Sequence, residues 1–511
     1  MVAAALLEYS TGTVDDIGVH RRGSRGTGAE PRLGPAAGQE PEAGPLRRDH
    51  VSRGQMQRAR VPGTRGDPER LPGRRALLAG VGATAGLLLL GCRGEPVDVR
   101  DQAAIAAGGS RGYAGPAIDL AFWTGFTGGD RPPMERLIER FNSEHDNIKV
   151  RMSVTRWGDF YYKLPAAVDS GNGPDVAVMH ADQLATAAVH RTLLPLDEVT
   201  DALGLGAGDF SRTLWDAGVY RGRRYGIPLD VHPLGLYYNR AVLADAGLGE
   251  PALPRSRRDY MAVLEQLKRR GIQGSWVSPV LFTGGLMFQS LLWQGGGELF
   301  SEDGARATFN SEAGVEALGF MLELIQRGYS PRDVGQDADS IAFTNNRNAF
   351  LWNGIWMINV YRAIPGLEWG VLPVPTIGAQ RAVWGNSHNL VLPRQPASGQ
   401  GRLAASVVFV DWLSRHSLEW AEAGMVPARR EARESAAFRR MTEQAIFAEQ
   451  IPVVRFPPAI AGIDSVRAST LDLAVNEAVL LRSAPREALN RAAREADALL
   501  SDNLRKFGRA L

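Results

Sequence analysis

The sequence is almost free of cysteine: one residue in 511, Cys92. A single thiol excludes an internal disulfide, so the fold must be held by its core. Lysine is scarce as well, with Lys149, Lys163, Lys268 and Lys506 the only four among 58 basic residues. Such arginine-dominated usage reflects a GC-rich genome more than a function. A basic surplus is also missing. The formal charge is only +2, and the first 91 residues hold 13 arginines against 9 acidic residues, leaving 45 basic against 47 acidic afterwards. Electrostatic capture of nucleic acid therefore has no compositional support. The apolar run from Ala76 to Gly91 is shorter than the roughly 20 residues needed to cross a bilayer. No internal repeat is visible, which excludes solenoids and propellers. A Gly-x-Ser-x-Gly elbow, a His-Glu-x-x-His helix and a Walker-type loop are all absent. The eight histidines are scattered without ligand spacing, so neither a metal site nor a cofactor is expected.

What is present begins with an address. Arg74-Arg75-Ala76-Leu77-Leu78 leads through small and apolar residues to Leu89-Leu90-Gly91-Cys92. Twin arginines before such a run resemble a Tat-type export signal, and the Leu-Leu-Gly-Cys ending resembles a bacterial lipoprotein box whose cysteine is acylated. Arg21-Arg22 and Arg47-Arg48 have no apolar run behind them. We expect residues 1–55, dense in Gly, Pro, Ala and Arg, to be a disordered extension that need not be translated, with Met56 the natural initiator. Residues 56–91 would be the signal peptide, and 92–116 the lipidated Cys92 with a flexible tether. The mature chain would sit outside the cytoplasm, anchored to the cell membrane.

The folded body is expected to start near Ala117 as an α/β unit. Ile118 to Trp123 reads as a strand, Met134, Leu137, Ile138 and Phe141 fall at helical spacing, and Ile148, Val150, Met152 and Val154 alternate as a strand does. A helix over about 160–170 ends at Gly171-Asn172-Gly173-Pro174, and Asp175 to Met179 reads as a buried strand. Tyr225 to Pro233 brackets a chain crossing, after which helical patterns recur around Tyr260, Val263, Leu264 and Leu267 and over 311–327. A second lobe is implied.

Several short segments occur in an order that resembles the bacterial extracellular solute-binding proteins of family 1, the carbohydrate receptors of ABC importers. They are Ile-Asp-Leu-Ala-Phe-Trp at 118–123, Ser-Gly-Asn-Gly-Pro-Asp-Val at 170–176 and Tyr-Gly-Ile-Pro at 225–228. Tyr-Tyr-Asn at 237–239, Gly-Gly-Glu-Leu-Phe at 296–300 and Arg-Asn-Ala-Phe-Leu-Trp-Asn-Gly-Ile-Trp at 347–356 follow. Gly-Val-Leu-Pro-Val-Pro at 370–375, the segment 384–393 and Gly-Met-Val-Pro-Ala-Arg at 424–429 complete the order. The resemblance implies a type II periplasmic-binding-protein fold, each lobe a mostly parallel sheet flanked by helices, with a ligand cleft between lobes that closes by hinge motion. Lobe 1 would be 117–229 plus 386–416 and lobe 2 would be 230–385 plus 417–511.

A sugar presents an apolar C–H face that prefers an aromatic surface, and hydroxyls that need donors and acceptors once out of water. Eleven tryptophans are available. The resemblance directs Trp123, Trp352, Trp356 and Trp384 to the cleft, along with Asp182, Asp230, His232, Asn386, His388 and Arg429. Trp293, Trp412 and Trp420 sit in helical patterns and are expected to pack. For Asp182 the alternative is a cap on the helix beginning near Gln183, and for Asp230 an ion pair with an arginine. The glycine-rich Thr124 to Gly129 could admit a phosphate. The implied function is non-catalytic capture of a mono- or disaccharide and delivery to an ABC permease, by a monomer. A glycerophosphodiester receptor is an alternative, as is an exported glycan hydrolase using Asp182 and Asp230 as its two carboxylates. A receptor predicts exposed ring faces on opposing lobes, whereas a lipoprotein that only scaffolds partners predicts rings packed on one another.

Overall fold

The computed structural model describes residues 113–249, 253–279, 283–395 and 400–508. The export signal, Cys92 and most of the tether lie outside them. Strand β1 (Ile118–Thr124) is followed by helix α1 (Arg131–Glu144), β2 (Ile148–Val154), α2 (Trp157–Asp169) and β3 (Val176–His180). The chain then reaches β4 (Ile227–Pro228) and β5 (Asp230–Asn239), continues through α3 (Arg257–Arg269), α4 (Thr283–Gln294) and α5 (Glu312–Gln326), and enters β6 (Phe350–Gly354) and β7 (Trp369–Leu372). It ends with β8 (Val383–Asn386), β9 (His388–Val391), α6 (Gln400–Arg415), β10 (Val426–Pro427), β11 (Val454–Arg455) and α7 (Pro485–Phe507).

Local chemistry explains the well-formed elements. Helix α1 carries prolines in its first turn, where their missing N–H costs nothing, and buries Met134, Leu137, Ile138 and Phe141 along one stripe. In α3 the Ser256 side chain accepts from the Asp259 amide, and Tyr260, Val263, Leu264 and Leu267 face inward. Helix α4 is buried on every side. Most of its polar groups are accordingly used by the chain around them: Gln294 donates to the carbonyls of Pro375 and Ala382 and accepts from the Ile377 amide, and the Ser290 hydroxyl accepts from the amide of Trp384, while Oε1 of Gln289 has no partner among the described residues.

Two sheets result. The first has the order β2-β1-β3-β9-β4, with β2, β1 and β3 parallel and β9 antiparallel to both β3 and β4. The second is built on β5, whose ten residues are all buried. It differs from the mostly parallel sheet expected for this lobe, because β6, β7, β8 and β10 all pair with β5 antiparallel and only β8 with β11 is parallel. A strand this long can serve several short strands returning along its length, and returns that reverse direction are antiparallel.

The chain passes from the first sheet to the second between Pro228 and Asp230 and back between Asn386 and His388, each time through one fully buried residue, Leu229 or Ser387. Among the described residues no helix is long and apolar enough to cross a membrane.

Candidate functional site

The two crossings bring distant residues to one place through register. On β5, Asp230 and His232 are two apart and share a face. His232 lies opposite Asn386 of β8, and one crossing further on His388 of β9 lies opposite His180 at the end of β3. Directly opposed residues present side chains to the same side. Three imidazoles and a carboxylate therefore converge at the junction of the sheets.

Asp230 is fully buried and organises the cluster. Its Oδ1 accepts from His232 Nδ1 at 3.1 Å and from the His388 amide at 3.0 Å. Its Oδ2 accepts from His388 Nδ1 and from Trp420 Nε1, both at 2.7 Å. Burial alone would raise the pKa of this carboxyl; the two imidazoles and their hydrogen bonds outweigh it and hold Asp230 well below the usual carboxylate range. An ionised carboxylate only accepts, so both rings carry their proton on Nδ1. Burial pushes His232 down to about 4 and His180 well below its ordinary value, so these rings are neutral. Nδ1 of His180 lies 2.6 Å from the Tyr161 hydroxyl, which also accepts from the His180 amide.

Aromatic rings enclose the cluster. Trp157 stacks on His388 with an interplanar angle of 16° and meets His180 edge-on. Phe126 contacts His388, Trp157 and Trp420. On the other side Trp356 and Trp384 approach His232 at 6.2 and 6.4 Å and pack against each other at 85°. Glycine permits two of these placements: a Cβ on Gly354 would fall 2.0 Å from the Trp356 ring, and one on Gly125 would fall 2.1 Å from that of Trp157. In the glycine-rich loop that could admit a phosphate, an indole lies against Gly125.

Of the ten residues singled out for the cleft, Asp230, His232, Trp356, Trp384, Asn386 and His388 gather here. Asp182 stands beside them, since its carboxyl is hydrogen-bonded to Asn386. Burial, with Asp464 nearby, lifts its pKa to about 6, and its Oδ1 is a buried acceptor with no partner among the described residues. Neither alternative role applies: Asp182 caps no helix through its side chain, and the partners of Asp230 are two imidazoles, an indole and an amide rather than an arginine. With all four of its acceptor positions engaged, Asp230 has none left for a solute hydroxyl or a hydrolytic step.

Three others lie apart. Trp352 faces the interior of the second lobe, where its Nε1 donates to the Tyr260 hydroxyl at 3.2 Å. Arg429 spans Ser414, Asp209 and Asp411 with its guanidinium over Phe210. Trp123 packs against the apolar cluster of Phe160, Met179 and Leu184. The ring faces are not exposed as a receptor would predict: Trp352, Trp356 and Trp384 are 5%, 8% and 5% exposed. Trp356 and Trp384 pack against each other, and Trp352 is bonded to Tyr260. A cavity of about 240 Å³ is lined by Tyr220, Arg221, Glu302, Asp303, Ile460 and Phe507 among others and by none of the ten residues.

Sequence reasoning missed His180, Tyr161, Trp157, Asp130 and Trp420. Asp130 had a usable signal, since an acidic residue before Arg-Pro-Pro marks a helix start. It is 4% exposed, and burial lifts its pKa to about 6.

The sequence profile of the bacterial extracellular solute-binding proteins matches residues 127–416. A Brucella abortus (strain 2308) protein named only for binding is 22% identical over 389 residues, covering 72% of this chain and 90% of that one. The diacetylchitobiose binding protein of Streptomyces coelicolor is 27% identical over 241 residues, 46% of this chain and 52% of the other. Among solved structures, the GacH receptor of Streptomyces glaucescens, determined unliganded and with acarbose, superposes with a TM-score of 0.67 at 22% identity, covering 76% of this chain and all of that one.

Proposed function

Since this chain belongs to the bacterial extracellular solute-binding proteins, whose matched relatives include a diacetylchitobiose and a maltodextrin binding protein, we propose that it captures a mono- or disaccharide between its two lobes and delivers it to an ABC permease. One observation carries this reading: Asn386 of the second sheet is hydrogen-bonded to Asp182, which directly follows β3 of the first, at the point where the chain crosses between them, and Trp384 and Trp356 pack on each other and against His232, the residue opposite Asn386. Indole faces suit the C–H face of a sugar ring, and a buried carboxylate oxygen lacking a donor suits a hydroxyl. Solute bridging both lobes would stabilise the closed form by its differential affinity. Lipid attachment at Cys92 and export through Arg74-Arg75 belong to the same proposal, as does a monomeric receptor.

The packing of the rings on one another favours a second reading, a membrane-anchored scaffold without a solute. A thermal-shift screen against sugars, amino sugars and glycerophosphodiesters separates the two, because a ligand bound only by the folded state raises the midpoint by mass action. A neutral sugar is expected to raise it, and Trp356→Ala to remove that rise. No shift by any small solute at millimolar concentration would overturn the receptor reading.

A further inference from the structure

The histidine cluster has a geometry that sugar capture does not require. One ring nitrogen from each of His180, His232 and His388 lies within 4.8 Å of the other two. We propose that these three residues bind one divalent transition-metal ion, zinc being the best match, at the junction of the two sheets, with Asp230 and Tyr161 orienting the rings. The proposal is independent of the solute reading.

Several features of the site converge on it. A nitrogen donor sits about 2.0–2.1 Å from zinc, so three nitrogens in a tetrahedral arrangement are about 3.4 Å apart. Small rotations of the three side chains would close the remaining distance. Each Nδ1 already has an oxygen partner, Asp230 Oδ1 for His232, Asp230 Oδ2 for His388 and Tyr161 Oη for His180. Nε2 is therefore the nitrogen each ring has for a metal, and the Nδ1–H to carboxylate bond is the arrangement that fixes ligating imidazoles elsewhere in proteins. Because Asp230 can only accept, it sets the tautomer of His232 and His388 as a metal needs it. With the metal on its Nε2, His180 would donate its Nδ1 proton to Tyr161.

The donor set also narrows the ion. Three imidazoles without a thiolate suit zinc, copper, nickel or cobalt and not the oxygen-seeking magnesium or calcium. Three protein ligands leave a fourth position for water or another exchangeable group, unlike a closed structural site.

The test uses the whole protein, stripped with a chelator and kept free of sugar. Equilibrium dialysis against zinc chloride is expected to retain one equivalent of zinc per chain, and cobalt to give the visible spectrum of a tetrahedral nitrogen site. His180→Gln, His232→Gln and His388→Gln should each weaken zinc binding at least about 100-fold, and Tyr161→Phe about 10- to 100-fold. X-ray absorption on the zinc-loaded unsubstituted protein needs no variant and should show imidazole nitrogens as the main ligands. Absence of bound zinc, cobalt, nickel and copper after dialysis, retention of zinc by the triple glutamine variant, or a zinc shell of oxygens alone would each overturn the proposal. None of these readings depends on whether the chain binds a sugar, so the two proposals fail separately.

Discussion

Replacing Asp230 by asparagine changes one charge and almost no volume, and the four bonds to its carboxylate fix what must follow. The asparagine oxygen can accept on one side only, and its NH2 group must face the other. If NH2 takes the place of Oδ2, His388 can shift its proton to Nε2 and accept, but the Trp420 indole can only donate and loses its partner. With the amide flipped, His232 can adapt while the amide of His388 cannot. Either way one buried donor is left without an acceptor, at about 1–3 kcal/mol, and the retained bonds lose their charge assistance, about 0.5–2 kcal/mol each. Relief of the buried charge offsets part of this, giving a net loss of about 2–4 kcal/mol. A body of about 400 residues has an unfolding entropy near 0.8 kcal/mol per degree at its midpoint, so the expected drop is about 2–5 °C. Differential scanning calorimetry at pH 7.5 measures it, with near-UV circular dichroism reporting the Trp420 environment. An unchanged or raised midpoint would refute the claim that Asp230 is ionised and saturated.

Asp339 gives a pH prediction of opposite sign. Burial lifts its pKa to about 7, so the unfolded chain gives up this proton at lower pH than the folded one, and stability falls as pH rises from about 4 to about 7. Asp339→Asn should therefore raise the melting midpoint at pH 8, by the equivalent of about 2–4 kcal/mol, and leave it unchanged below pH 4; a gain of equal size at both pH values would contradict this. Gly125→Ala should cost about 1–3 kcal/mol, because its Cβ would meet the Trp157 ring at 2.1 Å, and should change near-UV dichroism where the Trp157–His388 stack contributes. Cys92→Ser should abolish incorporation of labelled fatty acid in the native host and release the protein from the membrane fraction; continued labelling would place the anchor elsewhere.

The parts legible in the sequence were those set by short-range pattern. The stripe of Met134, Leu137, Ile138 and Phe141 and the alternation from Ile148 to Val154 each report a face buried by their own element. Asp230, His232, Asn386 and His388 were found because the chain crossings carry recognisable motifs. Their partners were not. His180 meets His388 only through antiparallel pairing of β3 with β9, a register between segments far apart in the chain, and ligand spacing along the sequence cannot reveal such a cluster. Trp420 reads as a packing residue by helical pattern, and it is one, fully buried; its bond to Asp230 depends on a single atom that no periodicity reports. The antiparallel second sheet escaped for a related reason, since alternation of strands and helices says little about the direction in which short strands return.

Leu229 and Ser387, the single-residue passages between the sheets, leave almost no slack in the chain there. Any rocking of one sheet against the other has to be absorbed by the backbone torsions at these points, which makes them an axle. Asp230 and His388 each adjoin one of the two passages, so rings close to that axle would sweep through a much shorter arc than the outer walls of the cleft. The imidazole trio would then stay assembled whether the jaws are apart or together.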